Sequence, residues 1–552
     1  MDNVVSRRIE CLLFDFVGKY TASGTKNERL ADEFYRVWFN SVDYLRKRHD
    51  QSGFFPIPGD PFDRSVPWCL IRGKGNRTVV LLHHYDVVDT DDYADLAEVA
   101  TSPEELAKSL KEGRVKLDAD AARDLASDEW IFGRGVADMK GGACVQLALC
   151  ERYARAAEAG ELSGSVVLLG LPDEENLSAG GRAAPLVLKK LKDEWGLDYL
   201  MAINSEPTDR TLGLDKPKLY VSSIGKILPL IYAKGSLSHA GRVYDGLNPI
   251  KIMASVVRKL DLNEYFIDSA DGVVSSPATF LYLKDVKEIY DVSLPAGAAG
   301  CLNVMYLGKS VVQLMDKIKN ICEAAFTEAI EDAQKSFDAF MDASGGERAV
   351  LPWKPLVKTY SEVYREVVRD GGEAFISELA GLIADLKGRL ALGDINQVEA
   401  SRAVVETTLK YTAARSPVIV TALAPPYYPV VSNAALPDSA FTDGIADALI
   451  EESHARFGDT PVRHCLVGMS DFSYFTRNPN GLDADYVRDN MLLWNDFYSI
   501  PFEEIDEISM PIMNVGPWGK GIHTYLERAW KKDILERTPH LLDFAVRKIL
   551  DG

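Results

Sequence analysis

The chain predicts an α/β protein: a domain with a mostly parallel central sheet, interrupted by an inserted α+β domain with extra helices. Continuous apolar runs alternate with helical patterns over residues 1 to about 213, as in Thr78–Leu82, Ser165–Leu171 and Asp198–Ile203. Uninterrupted apolar strands of this kind belong to parallel sheets covered on both faces. Beyond that point Leu219–Ala233, Ala278–Lys284 and Leu302–Leu307 read as strands around a helical stretch at Pro249–Leu260. Alternation within them predicts an α+β module with a half-exposed sheet. Helical periodicity then dominates from about Val311 to Ala414, in Ser310–Met341, Lys358–Arg369, Glu373–Leu386 and Asn396–Ala414. A strand at Val418–Ala424 breaks at Pro425-Pro426-Tyr427-Tyr428-Pro429, and helix and strand return between Asp438 and Val515. The expected division is residues 1–213 with 429–552 as the parallel-sheet domain and 214–428 as the insertion, including a helical segment over about 330–412. A length of 552 residues agrees with more than one core.

Lys and Arg number 62 against 82 Asp and Glu, a net charge of −20. Such a field repels phosphate backbones and anionic membrane surfaces, so neither nucleic acid nor a membrane is an expected partner. No uncharged run approaches the roughly 18 residues of a membrane helix. Arg7-Arg8 could open a secretion signal, but Glu10 and Asp15 interrupt the apolar stretch that follows, whose pattern fits a helical stripe. The seven cysteines form no C-x-x-C pair and are too few for a disulfide scaffold, which points to a reducing, cytoplasmic setting.

Three apolar strands are followed by residues of metal-ligand type, and ligands of open α/β sheets collect outside the carboxyl ends of strands. His84 and Asp86 stand two apart, on one face of an extended chain, so Asp86 can hold the ring while its other nitrogen takes a metal. An ordinary hydrogen-bonded pair is the competing reading. Asp138 sits in Gly133-Arg134-Gly135-Val136-Ala137-Asp138-Met139-Lys140-Gly141-Gly142. Glycines there let backbone approach a ligand, and a lone carboxylate can bridge two cations; a plain glycine-rich turn is the alternative. A dinucleotide loop lacks its third glycine, since position 138 is Asp. Glu174 and Glu175 follow Pro172-Asp173, either as a solvated turn or, beside metals, as one ligand and one base. Glu206 and His523 carry weight only in company. Two ions sharing Asp138 would each need a histidine and a terminal carboxylate, and His84 with Glu206 and His523 with Glu175 supply that set, leaving Glu174 as base.

In this order the segments HHYDVV, GRGVADMKGG, PDEEN, SEPT and GPWGKGIH resemble the di-zinc peptidase and deacylase family of acetylornithine deacetylase, succinyl-diaminopimelate desuccinylase, aminoacylase and carboxypeptidase G. Gly235-Ser236-Leu237-Ser238-His239 followed by Gly246-Leu247-Asn248-Pro249 is similar to that family's lid motif, whose histidine contacts the scissile carbonyl. The length and the Ala424-Pro425-Pro426-Tyr427-Tyr428-Pro429 stretch look most like the arginine-utilisation, RocB-like branch. The resemblance implies two divalent metal ions per chain, zinc with cobalt or manganese as substitutes. His84 and Glu206 would bind one, Glu175 and His523 the other, with Asp138 bridging, Asp86 orienting His84, Glu174 as general base and His239 at the carbonyl. It also implies a small peptide or N-acyl amino acid as substrate, and a homodimer through the lid domain.

Two departures stand out. Asp89 occupies a position that is often proline in the family, and Asn303-Val304-Met305-Tyr306-Leu307 stands where many members have an Asp-x-Arg strand whose arginine binds a substrate carboxylate. Competing functions are a two-metal phosphoesterase, against which the acidic field and the lack of a phosphate cradle count, and a binding or regulatory protein on a retired hydrolase fold, which would have lost ligands that are all present here. No G-x-x-x-x-G-K-[ST], H-E-x-x-H or G-x-S-x-G motif supports nucleotide, single-zinc or serine chemistry.

Overall fold

The computed structural model describes residues 3–208, 217–270, 272–412, 416–437, 439–466, 468–476 and 483–552. The expected domain boundary at 213/214 and the expected helix start at Asp438 lie outside the described residues. The chain divides into two compact units, residues 1–223 with 431–479 and 500–552, and residues 224–430 with 480–499. What reads in sequence as one strand at Leu219–Ala233 is two, Lys218–Ser223 in the first unit and Gly225–Lys234 in the second.

Nine strands among the described residues of the first unit form one sheet. Its centre is parallel, in the order Ser165–Leu171, Arg77–His84, Asp198–Asn204 and Ile512–Asn514. Antiparallel partners flank it: Ser65–Arg72 and then Ser52–Pro56 on one side, Lys218–Ser223 on the other. Every residue of Ser165–Leu171 and all of Arg77–His84 except Arg77 are buried, which is why these strands are apolar without alternation. Val79, Leu81, Val166 and Leu168 join one core with helices Asn3–Val17, Lys140–Glu158 and Thr538–Asp551. Their buried neighbours Val80, Leu82, Val167 and Leu169 point to the opposite face, where helix Ala179–Trp195 packs on Ser165–Leu171. Each such fully buried side chain stabilises the fold by about 1.5–3 kcal/mol relative to exposure.

The second unit holds a five-stranded sheet ordered Thr279–Asp285, Gly297–Tyr306, Gly225–Lys234, Val418–Tyr428 and Val357–Thr359. The expected half-exposed sheet is not what forms: the Gly225–Lys234, Gly297–Tyr306 and Val418–Tyr428 strands are almost wholly buried. The reason is the extra helices. Helices Tyr360–Leu392 and Gln397–Lys410 share a core with Leu228, Leu230, Tyr232, Ala299, Val418 and Val420, while helix Pro249–Leu260 packs on Gly225–Lys234, Gly297–Tyr306 and Thr279–Asp285 and on helix Val311–Ser344. Three capping boxes, Ser310 with Gln313, Thr359 with Glu362 and Asn396 with Glu399, start the three long helices. The sequence break between Arg369 and Glu373 corresponds to a kink at Gly372, whose φ of 58° a residue with a Cβ rarely adopts.

Candidate metal centre

The chain crosses the carboxyl ends of the parallel strands at four places, and each crossing delivers part of one cluster in the first unit. His84 closes the Arg77–His84 strand, Glu174 and Glu175 follow Ser165–Leu171, Glu206 follows Asp198–Asn204, and the segment after Ile512–Asn514 leads to His523. Asp138 comes from the glycine-rich turn that precedes helix Lys140–Glu158. The Asp138–Met139 peptide bond is cis.

Asp138 is central. Its Oδ1 lies 3.0 Å from His84 Nε2, and its Oδ2 lies 3.2 Å from His523 Nε2. Each histidine has a second carboxylate beside it: Glu206 Oε2 is 3.6 Å from His84 Nε2, and Glu175 Oε1 is 2.9 Å from His523 Nε2. Ligand atoms of His84, Asp138 and Glu175, and likewise of His84, Glu174 and Glu206, fall within 4.8 Å of one another. Two imidazole nitrogens and a surplus of carboxylate oxygens around a shared Asp form a donor set suited to a pair of divalent cations.

The electrostatics reflect this crowding. Burial pushes the Glu174 carboxyl well above the usual carboxylate range, and the charges of Glu206, Glu175 and Asp471 add to it against the opposing His84 ring. Burial likewise lifts Glu206 to about 7, and burial with the Asp138 charge raises Glu175. Burial also works against ionised Asp138, but hydrogen bonds from His523 and His84 outweigh it and hold Asp138 below its usual value. Hydrogen bonds to Asp138 and then Glu175 raise His523 to about 10. For His84 burial disfavours the charged ring, yet Glu206, Asp138 and Asp86 overcome it and push it up.

Asp86 was expected to hold the His84 ring through its carboxylate. The nearer partner of His84 Nδ1 is the Asp86 carbonyl oxygen at 3.0 Å, with Oδ1 at 3.6 Å. The buried carboxylate also accepts the backbone amides of Glu174 and Glu175, each at 3.1 Å. A single residue thus orients the histidine and the adjacent pair of glutamates.

Several supporting residues escaped the sequence reading. Buried Glu527 accepts the Ala137 and Asp138 amides on Oε1, at 3.1 and 3.2 Å, and Arg134 Nη1 on Oε2 at 2.9 Å, tying the Asp138 turn to the segment of His523. Asp89 gives its carbonyl to Arg134 Nε at 3.1 Å, a contact that any residue there makes, and its Oδ1 accepts the Asp91 amide at 3.1 Å. Asp173 is buried, not solvated: Arg64 Nη1 donates to it and to Glu28, each at 2.6 Å, while its Oδ2 caps the helix start at Ala179 N. Asn514 clasps the Glu206 backbone, its Oδ1 accepting Glu206 N at 2.7 Å and its Nδ2 donating to Glu206 O at 2.9 Å. Arg134 and Glu527 lie four residues from Asp138 and His523, a spacing that could have drawn attention to them; Glu28, Arg64 and Asn514 carry no local signal. Gly142, in the first turn of the following helix, serves packing: a Cβ there would stand 2.1 Å from the Ser205 carbonyl, next to Glu206.

His239 belongs to the second unit, where it is exposed at the start of a short helical turn over Ala240–Asp245. No helix among the described residues is long and apolar enough to cross a membrane.

Residues 81–491 match the model of peptidase family M20/M25/M40. The protein YqjN of Bacillus subtilis (strain 168) is 30% identical over 548 residues, covering 98% of this chain and 96% of its own. Protein RocB of the same organism is 28% identical over 552 residues, covering 97% and 94%. Among solved structures, aminopeptidase PepT from Bacillus cereus ATCC 10987 superposes with a TM-score of 0.53 at 13% identity, covering 99% of each chain, a likeness of fold. With residues 81–491 matched by the family model and two relatives aligned over nearly the whole chain, the chain belongs to the M20/M25/M40 peptidase family and is a metal-dependent hydrolase of amide bonds.

Proposed function

We propose that the first unit holds two divalent ions, zinc with cobalt or manganese as substitutes, and that the protein cleaves the amide bond of a small peptide or N-acylated amino acid. What supports this most directly is Asp138, whose two oxygens face two different histidines, each with a carboxylate of its own. In this reading His84 and Glu206 hold one ion, His523 and Glu175 the other, and Asp138 bridges. Two cations held so would supply an acidified water and polarise the substrate carbonyl. Glu174, left without a ligand role, takes the proton of the attacking water and returns it to the departing nitrogen. Asp86 keeps His84 and the two glutamate amides in register, and His239 donates a hydrogen bond to the carbonyl oxygen as charge develops there. The RocB-like branch suggests arginine utilisation as the setting, so arginine-containing dipeptides and N-acylated basic amino acids head the panel of dipeptides and acyl-amino acids to assay; cleavage of phosphate esters alone would overturn the amidase reading.

Metal content tests the ligand set. Purified protein is expected to bind close to two ions per chain, and His84→Ala or His523→Ala to lower that number, read by elemental analysis; full occupancy in both variants would sink the assignment. Binding is also expected to release protons. Ligation needs a neutral His523 and an ionised Glu206, whereas the metal-free protein carries protons on groups raised to about 10 and about 7. Apparent affinity therefore rises with pH across that range. Calorimetry in buffers of different ionisation heat measures the release, and metal uptake with no proton release contradicts the proposed ligands.

A further inference from the structure

Helix Val311–Ser344 is 34 residues long, and its last buried residue is Ala329. The turns beyond contribute nothing to the core, yet they engage one loop of the same unit. Tyr244 Oη lies 2.9 Å from Ser336 Oγ and 3.1 Å from the Ser336 carbonyl. Its ring meets Phe337 edge-on at 5.2 Å and Phe340 at 5.6 Å. One turn earlier, Asp332 pairs with Lys251 at 3.0 Å, fixing the helix against Pro249–Leu260, which leaves the same loop at its other end.

That loop carries His239. Its ends are pinned by the mutual hydrogen bonds of Ser236 and Leu247, both 3.0 Å, and the two flanks of His239 are held by Ala240 N to Val292 O and Leu294 N to Ser238 O, both 2.9 Å. Inside it the Gly241 amide donates to His239 Nδ1 at 3.0 Å. A neutral imidazole has one bare and one protonated nitrogen. With Nδ1 committed as acceptor, the proton sits on Nε2, which is the form a hydrogen-bond donor to an oxyanion requires. The middle of the loop is exposed, and Tyr244 ties it to the overhanging turns of the helix.

We propose that Tyr244, clamped by Ser336, Phe337 and Phe340 on the overhanging end of this helix, is a positioning residue for His239, and that the Gly241 amide sets the ring as the tautomer with the proton on Nε2. This gives the helical extension a task, and it rests on the reading of His239 as carbonyl-oxygen donor. The test uses the full-length, metal-loaded protein with ¹⁵N-labelled histidine, the His239 signals being identified by their loss in His239→Ala. Wild type is expected to show a bare Nδ1 and a protonated Nε2. Tyr244→Ala, and Phe337→Ala from the opposite side of the contact, are expected to mix the tautomers and lower kcat about 10- to 100-fold at little-changed KM, within the ~10²-fold cost of a misplaced group. Tyr244→Phe, which keeps the ring contacts, should retain most of the turnover. A ring protonated on Nδ1 in the wild type, or wild-type turnover and signals in both alanine variants, overturns the proposal. If His239→Ala turns over normally while the alanine variants mix the tautomers, the positioning stands and the catalytic role given to His239 falls.

Discussion

Glu174→Gln is expected to lower hydrolysis by about 10²- to 10⁴-fold, the usual contribution of a general base, with metal content unchanged. The substitution keeps shape and removes the proton acceptor. Glu174 suits the task because burial and the neighbouring carboxylates lift its proton affinity, so that it can accept a proton from water and hold it until the leaving nitrogen needs it. Adjacent Glu175 has a different partner, His523 at 2.9 Å, and Glu175→Gln is expected to lose metal. Because Asp86 holds both backbone amides, neither substitution should rearrange the turn, and the two phenotypes stay separable. Turnover and elemental analysis on both variants decide the matter; exchanged phenotypes would mean that the roles are reversed.

His239→Ala is expected to reduce turnover by about 10²- to 10³-fold, as loss of one oxyanion donor does, while both metals stay bound and substrate binds nearly as well. The separation follows from where the benefit falls. A donor aimed at developing charge acts mainly in the transition state, so its removal lowers kcat and leaves KM close to its starting value. A histidine that merely braced its own loop would instead change the melting temperature with near-normal rates. Kinetics, metal content and melting temperature of this one variant separate the two, and wild-type turnover would leave His239 without a catalytic role.

The central strands were legible because burial on both faces leaves a parallel strand no room for polar residues, and Val79–Leu82 and Val166–Leu169 announce themselves by composition. The half-exposed sheet of the second unit was misread for a related reason. Alternation reports which residues could face water, but helices Tyr360–Leu392 and Gln397–Lys410, distant in the chain, decide which do. The turn Pro172–Glu175 shows the same limit at closer range: three acids in a row look solvated, and only the fold brings Arg64 to Asp173 and the Asp86 carboxylate to the next two amides.

By itself the sequence determined the chemical types at the site and the attachment of His84, Glu174, Glu175 and Glu206 to strand ends, positions that an open α/β sheet brings to its carboxyl side. Tertiary structure alone decided how they are held apart and aimed. The Glu527 carboxylate binds the Asp138 turn to the segment of His523 across 389 residues, Asn514 clasps Glu206 across 308, and Ser336 meets Tyr244 across 92. A local pattern encodes periodicity and the groups a segment offers; it does not encode which distant donor will satisfy a buried carboxylate, because that partner is selected by packing, where leaving such a group unpaired costs more than any local preference returns.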